Sequence, residues 1–192
     1  MDELQLSNLS HIHQAYRRNR LVIFVGAGVS RNSGVPTWDE LIAAMKSELP
    51  ADLRFENDAL KIAQLYKDAR GYKEYMDKVK DFLLYNKPPP NPLHKRILSL
   101  NPSHIVTTNY DDLIEQEIQN EYSQYTIIRE DKDIPQMVYP NSLIKMHGDY
   151  VTNNIVLTET DYYNYKNNFP LVRAFVQSLF ASKLVLSVGF SF

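Results

Sequence analysis

Short apolar runs separated by polar, glycine-containing and proline-containing segments divide this chain into alternating strands and helices. Residues 21–25, LVIFV, are five apolar residues in a row, short and partly β-branched, as expected of a strand covered on both faces. Residues 103–107, 125–129, 143–147, 154–157 and 184–188 read as further strands, the last of them buried. Ile62, Leu65, Tyr66 and Ala69 follow i, i+3, i+4, i+7 spacing, and Tyr72, Met76, Val79 and Phe82 continue it in steps of four and three. Gly71 separates these two helical stretches. A helix from about 111 to 120, a helix start at Thr158-Glu159-Thr160-Asp161 and an amphipathic stretch at 171–182 complete the pattern. In the run Pro88-Pro89-Pro90-Asn91-Pro92, Asn91 caps a helix and Pro92 occupies its first turn. There are no internal repeats.

Strands alternating with helices predict an α/β fold: a Rossmann-like parallel sheet flanked by helices, with right-handed crossovers. The segment at about 52–87 interrupts the sheet as a helical insertion placed over the cleft at the strand ends. In an open parallel sheet ligands bind at the carboxyl ends of the strands. Gly26, Asn109, His147 and Gly189 all fall there, and this convergence follows from the strand pattern alone.

The chemistry begins where the first strand runs into Gly26-Ala27-Gly28, since glycine lets the backbone turn sharply and approach a ligand whose phosphates following amides can cradle. The next glycine is Gly34, so the pattern is not G-x-G-x-x-G. No Lys-Ser/Thr pair follows the loop either, which removes the P-loop reading. His147 is the general-base candidate, because an ordinary imidazole titrates near pH 6.5 and is largely neutral at pH 7. Asn109 is neutral and can donate and accept at once, which suits a ribose hydroxyl and a water. Asp111 serves the same cleft or caps the following helix, and Asp112 reads as a first-turn charge. His11 and His13 lie in a polar leader, His94 in a helix and His104 at a strand start, all four structural or solvated.

Composition narrows the partners. With 192 residues, 44% hydrophobic and 23% charged, residues 1–192 form one ordinary domain. The net charge of −2 gives no electrostatic reason to expect nucleic acid or an anionic membrane as a direct partner. No apolar stretch approaches the roughly 20 residues that span a bilayer. The polar N-terminus lacks the apolar core of a signal peptide, which predicts a cytoplasmic protein. Zero cysteines exclude disulfides, thiol catalysis and a four-cysteine zinc site.

The motifs GAGVSRNSGVP at 26–36, TTNYD at 107–111, His147-Gly148 and SVGFSF at 187–192 stand in the order of the sirtuin signature, which they resemble. The form of the chain is similar to the sirtuin-like NAD-hydrolysing domains of prokaryotic defence proteins. That resemblance implies an NAD+ glycohydrolase that yields nicotinamide and ADP-ribose and acts in anti-phage defence by NAD+ depletion. NAD+ is then the substrate and no metal is needed. The resemblance assigns catalysis to Asn109 and His147, with Asp111 on the nicotinamide carboxamide. It assigns NAD+ binding also to Gly26, Ala27, Gly28, Ser30, Ser33, Thr108, Gly189 and Ser191. It leaves open that the domain is the N-terminal part of a longer protein with a regulatory C-terminal domain or partner protein, and that it forms a homo-oligomer. Two departures separate it from deacylases: Thr37-Trp38-Asp39 replaces an acidic-Phe-Arg segment, and no cysteines exist to build a zinc ribbon. Trp38 either covers the nicotinamide pocket or packs in the core. The rival readings are a non-catalytic NAD or ADP-ribose sensor and an NAD-dependent deacylase or ADP-ribosyl transferase.

Overall fold

The sheet is parallel throughout, because each strand returns to it through a helical crossover on one face or the other. The computed structural model describes residues 2–84 and 88–190. In chain order the elements are α1 (Glu3–Arg17), β1 (Leu21–Val25), α2 (Gly28–Arg31), α3 (Trp38–Ser47), α4 (Ala59–Leu83) and α5 (Pro92–Ser99). They continue with β2 (His104–Thr107), α6 (Leu113–Asn120), β3 (Thr126–Ile128), β4 (Ser142–Lys145), α7 (Glu159–Asn168), α8 (Pro170–Ser182) and β5 (Leu184–Val188). The strand order is β3-β4-β2-β1-β5. Ile127, Leu143, Ile105, Ile23 and Leu186 stand in one row across all five strands.

The two-residue alternation of β1 divides the core. Leu21, Ile23 and Val25 pack with Ile105 and Leu143 against Ile97 of α5 and Ile114 and Ile118 of α6. Val22, with Val106 and Ile144, faces Val172, Val176 and Leu179 of α8 on the opposite side. A third cluster joins α3 and α4 to the site region, with Leu41, Met45, Ile62, Tyr66, Tyr75 and Val79 packed around Tyr110, Ile155 and Leu157. The insertion at about 52–87 is therefore an extra helical layer, although residues 85–87 lie outside the described ones. Asn91 caps α5 and Thr158 caps α7, each in a reciprocal pair with the residue three positions on.

Several expectations change. The polar leader is the helix α1, capped by Asp2 and Gln5; Ala15 is its one buried residue, and Leu4, Leu6, Leu9 and Tyr16 are exposed on it. Residues 154–157 are not a strand. Ile155, Val156 and Leu157 are buried, but the segment crosses the strand ends, with the Val156 amide donating to the His147 carbonyl. Strand β5 is half-buried rather than fully buried, since it is the sheet's edge beside β1. Strand β4 ends two residues before His147. At Gly71 φ is +84° and the helix breaks there, so the phase resets: Ala69 and Tyr72 are exposed and Tyr75 is buried instead.

The β1–α2 loop is fixed by its contact with the end of β5. The Gly26 amide donates to the Val188 carbonyl and the Gly28 amide to the Gly189 carbonyl, both at 2.9 Å. A Cβ on Gly26 or Gly28 would lie 2.7 Å from the Gly189 carbonyl oxygen. Gly28 is thus needed for close backbone approach, not for an unusual conformation, and its amide is already engaged. Gly28→Val should lower stability by about 1–3 kcal/mol through overpacking, read as a lower urea midpoint at unchanged slope. A Gly28→Val protein as stable as the parent would mean that the loop swings clear of Gly189 at no cost.

Candidate active site

The ends of β1, β2, β4 and β5 open onto a cleft of about 630 Å³, within the range that takes a small ligand. Of the residues expected at the site, Ala27, Gly28, Ser30, Thr108, Asn109, Asp111, His147 and Gly189 line it. Gly26 does not; it is buried beneath the loop. Ser33 does not either, and its hydroxyl takes the Asn91 side-chain amide at 2.9 Å. Ser191 lies outside the described residues. The motif reading missed Tyr110, Tyr162 and Phe190 on the cleft wall. Only the aromatic character of TTNYD and of the final turn hinted at two of them, and nothing singled out Tyr162.

Asn109 is 7% exposed, and it sits where β2 gives way to the turn before α6. Thr107 Oγ1 accepts from the Asn109 amide at 3.0 Å and donates to the Val25 carbonyl at 2.9 Å, tying β2's end to β1. The Asn109 side-chain Nδ2 donates to the Gly26 carbonyl at 3.3 Å and Ser30 Oγ at 3.2 Å. Its Oδ1 is buried and has no partner. The donor half of this amide holds the loop, so only the acceptor half remains for a ligand. A buried acceptor without a partner is costly, which marks it as a place where a hydroxyl or water belongs. Asp111 lines the cleft and accepts from the Leu113 amide at 3.2 Å, one residue before the cap position of α6 at Asp112, which makes no side-chain capping bond.

His147 is half-buried, and burial pushes its imidazole down to about 4, well below the ordinary value assumed from sequence. It is therefore neutral across the physiological range and ready to take a proton. Aromatic rings surround it: Tyr162 edge-on with centroids 5.3 Å apart, Tyr165 at 6.3 Å and Tyr110 at 6.5 Å. Trp38 stacks on Tyr110 at 6.4 Å, lines the cleft and also packs on the α3–α4 core. The other histidines are structural or solvated. His94 Nδ1 accepts from the Asn91 amide at 3.1 Å, His104 bonds Ser142 at 2.8 Å, and His11 and His13 are exposed on α1. Among the described residues no group of three His, Asp or Glu side chains converges as metal ligands, and no helix is long and apolar enough to cross a membrane.

Under the cleft lies a buried ionic network. Lys145 has a fully buried side chain; its ammonium donates to the Tyr110 and Asp111 carbonyls and pairs with Glu115 at 3.0 Å. Burial holds the Glu115 carboxyl above the usual range, with Lys145 pulling the other way. Arg129 bridges from Glu115, at 3.6 Å, to Asp149. Burial opposes the charge on Asp149, but Lys145, the Thr152 amide and Arg129 outweigh it and hold that carboxyl low.

Residues 103–192 match the SIR2-like domain family model. The chain is 32% identical to Defense-associated sirtuin 2 of Bacillus subtilis over 99% of its own length and 20% of that protein's. It is 32% identical to NAD(+) hydrolase ThsA of Acinetobacter baumannii over 96% of its length and 39% of the relative's. Against NAD(+) hydrolase ThsA of Bacillus cereus it is again 32% identical, over 88% of this chain and 37% of that one. The chain thus spans about a fifth to two fifths of the length of these curated relatives. A solved structure from work on the mechanism and regulation of Sir2 enzymes overlays 73% of this chain and 47% of its own at 19% identity, with a TM-score of 0.37.

Lys145→Met should cost about 3–5 kcal/mol, because it leaves Glu115 buried without its ammonium and frees two carbonyls of the Asn109 turn. Urea unfolding of the variant measures it, and a loss below about 1 kcal/mol would mean that the network is solvated in solution.

Proposed function

This chain carries a SIR2-like domain, and from that premise we propose that it is an NAD+ glycohydrolase, cleaving NAD+ to nicotinamide and ADP-ribose in cytoplasmic anti-phage defence by NAD+ depletion. The relatives named as NAD(+) hydrolase and as defence-associated sirtuin support the reading, since they align over nearly all of this chain. The observation that carries it is the pairing, in one cleft, of a neutral imidazole at His147 with the unpartnered Oδ1 of Asn109. A module that only senses the dinucleotide needs no base there. A deacylase of the zinc-ribbon type would need cysteines that the sequence lacks.

In this mechanism the pyrophosphate lies along the β1–α2 loop, near the Ala27 amide, which takes no part in the loop's bonds to Gly189 and Val188. Thr108 and Ser30 complete that side, and the adenosine end lies toward Gly189. Asp111 holds the nicotinamide carboxamide, with Trp38 and Tyr110 as an apolar wall. Breaking the bond from ribose C1′ to nicotinamide builds oxocarbenium character on the ribose, as in glycoside hydrolysis. Asn109 Oδ1 accepts from a ribose hydroxyl or from the attacking water, and His147 takes the water's proton as its oxygen bonds to C1′. Nicotinamide leaves as a neutral molecule, so the leaving group needs no metal. A regulatory domain or partner protein outside these residues would raise the basal rate of the domain, and a homo-oligomer is compatible with the same site.

His147→Ala and Asn109→Ala should each lower NAD+ turnover by at least about a hundredfold while the fold survives. Products are resolved by chromatography and folding is checked by circular dichroism. Near-normal turnover in either well-folded variant would overturn the mechanism.

The pH profile is a second check. A base works deprotonated, and a lowered value keeps His147 deprotonated further into acid. The rate should stay level from about pH 8 to about 5.5 and fall only as the imidazole protonates toward about 4. An inflection near pH 6.5 in a folded sample would contradict the burial of this imidazole.

A further inference from the structure

We propose that Tyr162 is the positioning residue of His147: its hydroxyl oxygen accepts the Nδ1–H of the neutral imidazole and so leaves Nε2 as the proton acceptor. This rests on the hydrolase reading for its consequence, though not for its geometry. Tyr162 Oη lies 3.5 Å from His147 Nδ1, and the ring meets the imidazole edge-on at an interplanar angle of 73°. Among the described residues no carboxylate or backbone carbonyl is bonded to this imidazole, so Tyr162 takes the place such a group fills beside many catalytic histidines.

The arrangement is built into the backbone. The Val156 amide donates to the carbonyl of His147 itself at 2.9 Å, two residues before the cap of α7 at Thr158. The Tyr162 amide then closes the first turn of α7 on the Thr158 carbonyl at 3.1 Å. The tyrosine is thereby set against the histidine by the same segment that pins the histidine's main chain. Tyr162 is 40% exposed, so its hydroxyl proton can go to water while its oxygen accepts. In the opposite arrangement, with Tyr162 donating to Nδ1, Nε2 would carry the proton and could not act as a base.

The chemistry follows with the proton balanced. Water bonds to C1′, the electron pair of the C1′–nicotinamide bond leaves with nicotinamide, and one water proton passes to Nε2. The imidazolium so formed makes a charge-assisted Nδ1–H···O bond to Tyr162, stronger than in the ground state. The benefit belongs to the transition state, so the residue acts on kcat and not on KM.

The test is nitrogen-15 NMR of histidine-labelled protein at pH 7 without NAD+, for the parent and for Tyr162→Phe, followed by steady-state kinetics of both. The expected result is an Nδ1–H tautomer in the parent that shifts toward Nε2–H in Tyr162→Phe. In the same variant kcat should fall about tenfold with KM within about twofold. An Nε2–H tautomer in the parent, or an unchanged kcat in Tyr162→Phe, overturns the proposal. Because the tautomer is read without substrate, a parent that cleaves no NAD+ defeats the hydrolase reading, and the wrong tautomer defeats this one.

Discussion

A single buried ammonium, Lys145 Nζ, joins the two parts of the site that come from different strands. It stands at the end of β4, two residues before His147, and its protons go to the carbonyls of Tyr110 and Asp111, which follow Asn109. A fully buried charge is tolerated only with its bonds satisfied, and here Glu115 supplies the counter-charge while the turn supplies the acceptors. The spacing between the Asn109 amide and the His147 imidazole is therefore set by an interaction that is expensive to distort. Arg129 and Asp149 extend the same network to the turn after His147, so one set of ion pairs ties the floor of the cleft together.

Above that floor the site is aromatic. Burial lowers the proton affinity of His147, and among the described residues no carboxylate is bonded to it to raise that affinity. Asn109 Oδ1 is buried without a partner, an unfavourable state that a ligand hydroxyl or an attacking water would relieve. The β1–α2 loop adds rigidity from the other side, since Gly26 and Gly28 are pressed against Gly189 with no room for a side chain. Preorganised groups of this kind need little rearrangement when charge develops on the ribose.

Most of the fold was legible because its strands are apolar runs bounded by turns, and the site because strand ends gather in a parallel sheet. What escaped had physical causes. Helix α1 does carry Leu9, Ile12 and Tyr16 at helical spacing, but they are interspersed with histidines and amides and only Ala15 is buried, so the segment reads as a polar leader. Residues 154–157 have the apolar run of a strand, yet they cross the strand ends instead of joining the ladder. The contact of Gly28 with Gly189 was not legible, because it is a long-range approach that no local pattern encodes. Tyr162 was invisible for a similar cause. It follows no motif, and it reaches His147 only through the way Val156 binds that residue's carbonyl. The depressed proton affinity of His147 likewise depends on neighbours distant in the chain.

The account as a whole turns on water being the group that attacks C1′ in this cleft. The most direct measurement is mass spectrometry of the products formed from NAD+ in oxygen-18-labelled water. The account predicts free ADP-ribose carrying a single heavy oxygen, alongside unlabelled nicotinamide. NAD+ recovered intact, or ADP-ribose appearing only as an adduct with another acceptor and without the label, would contradict it.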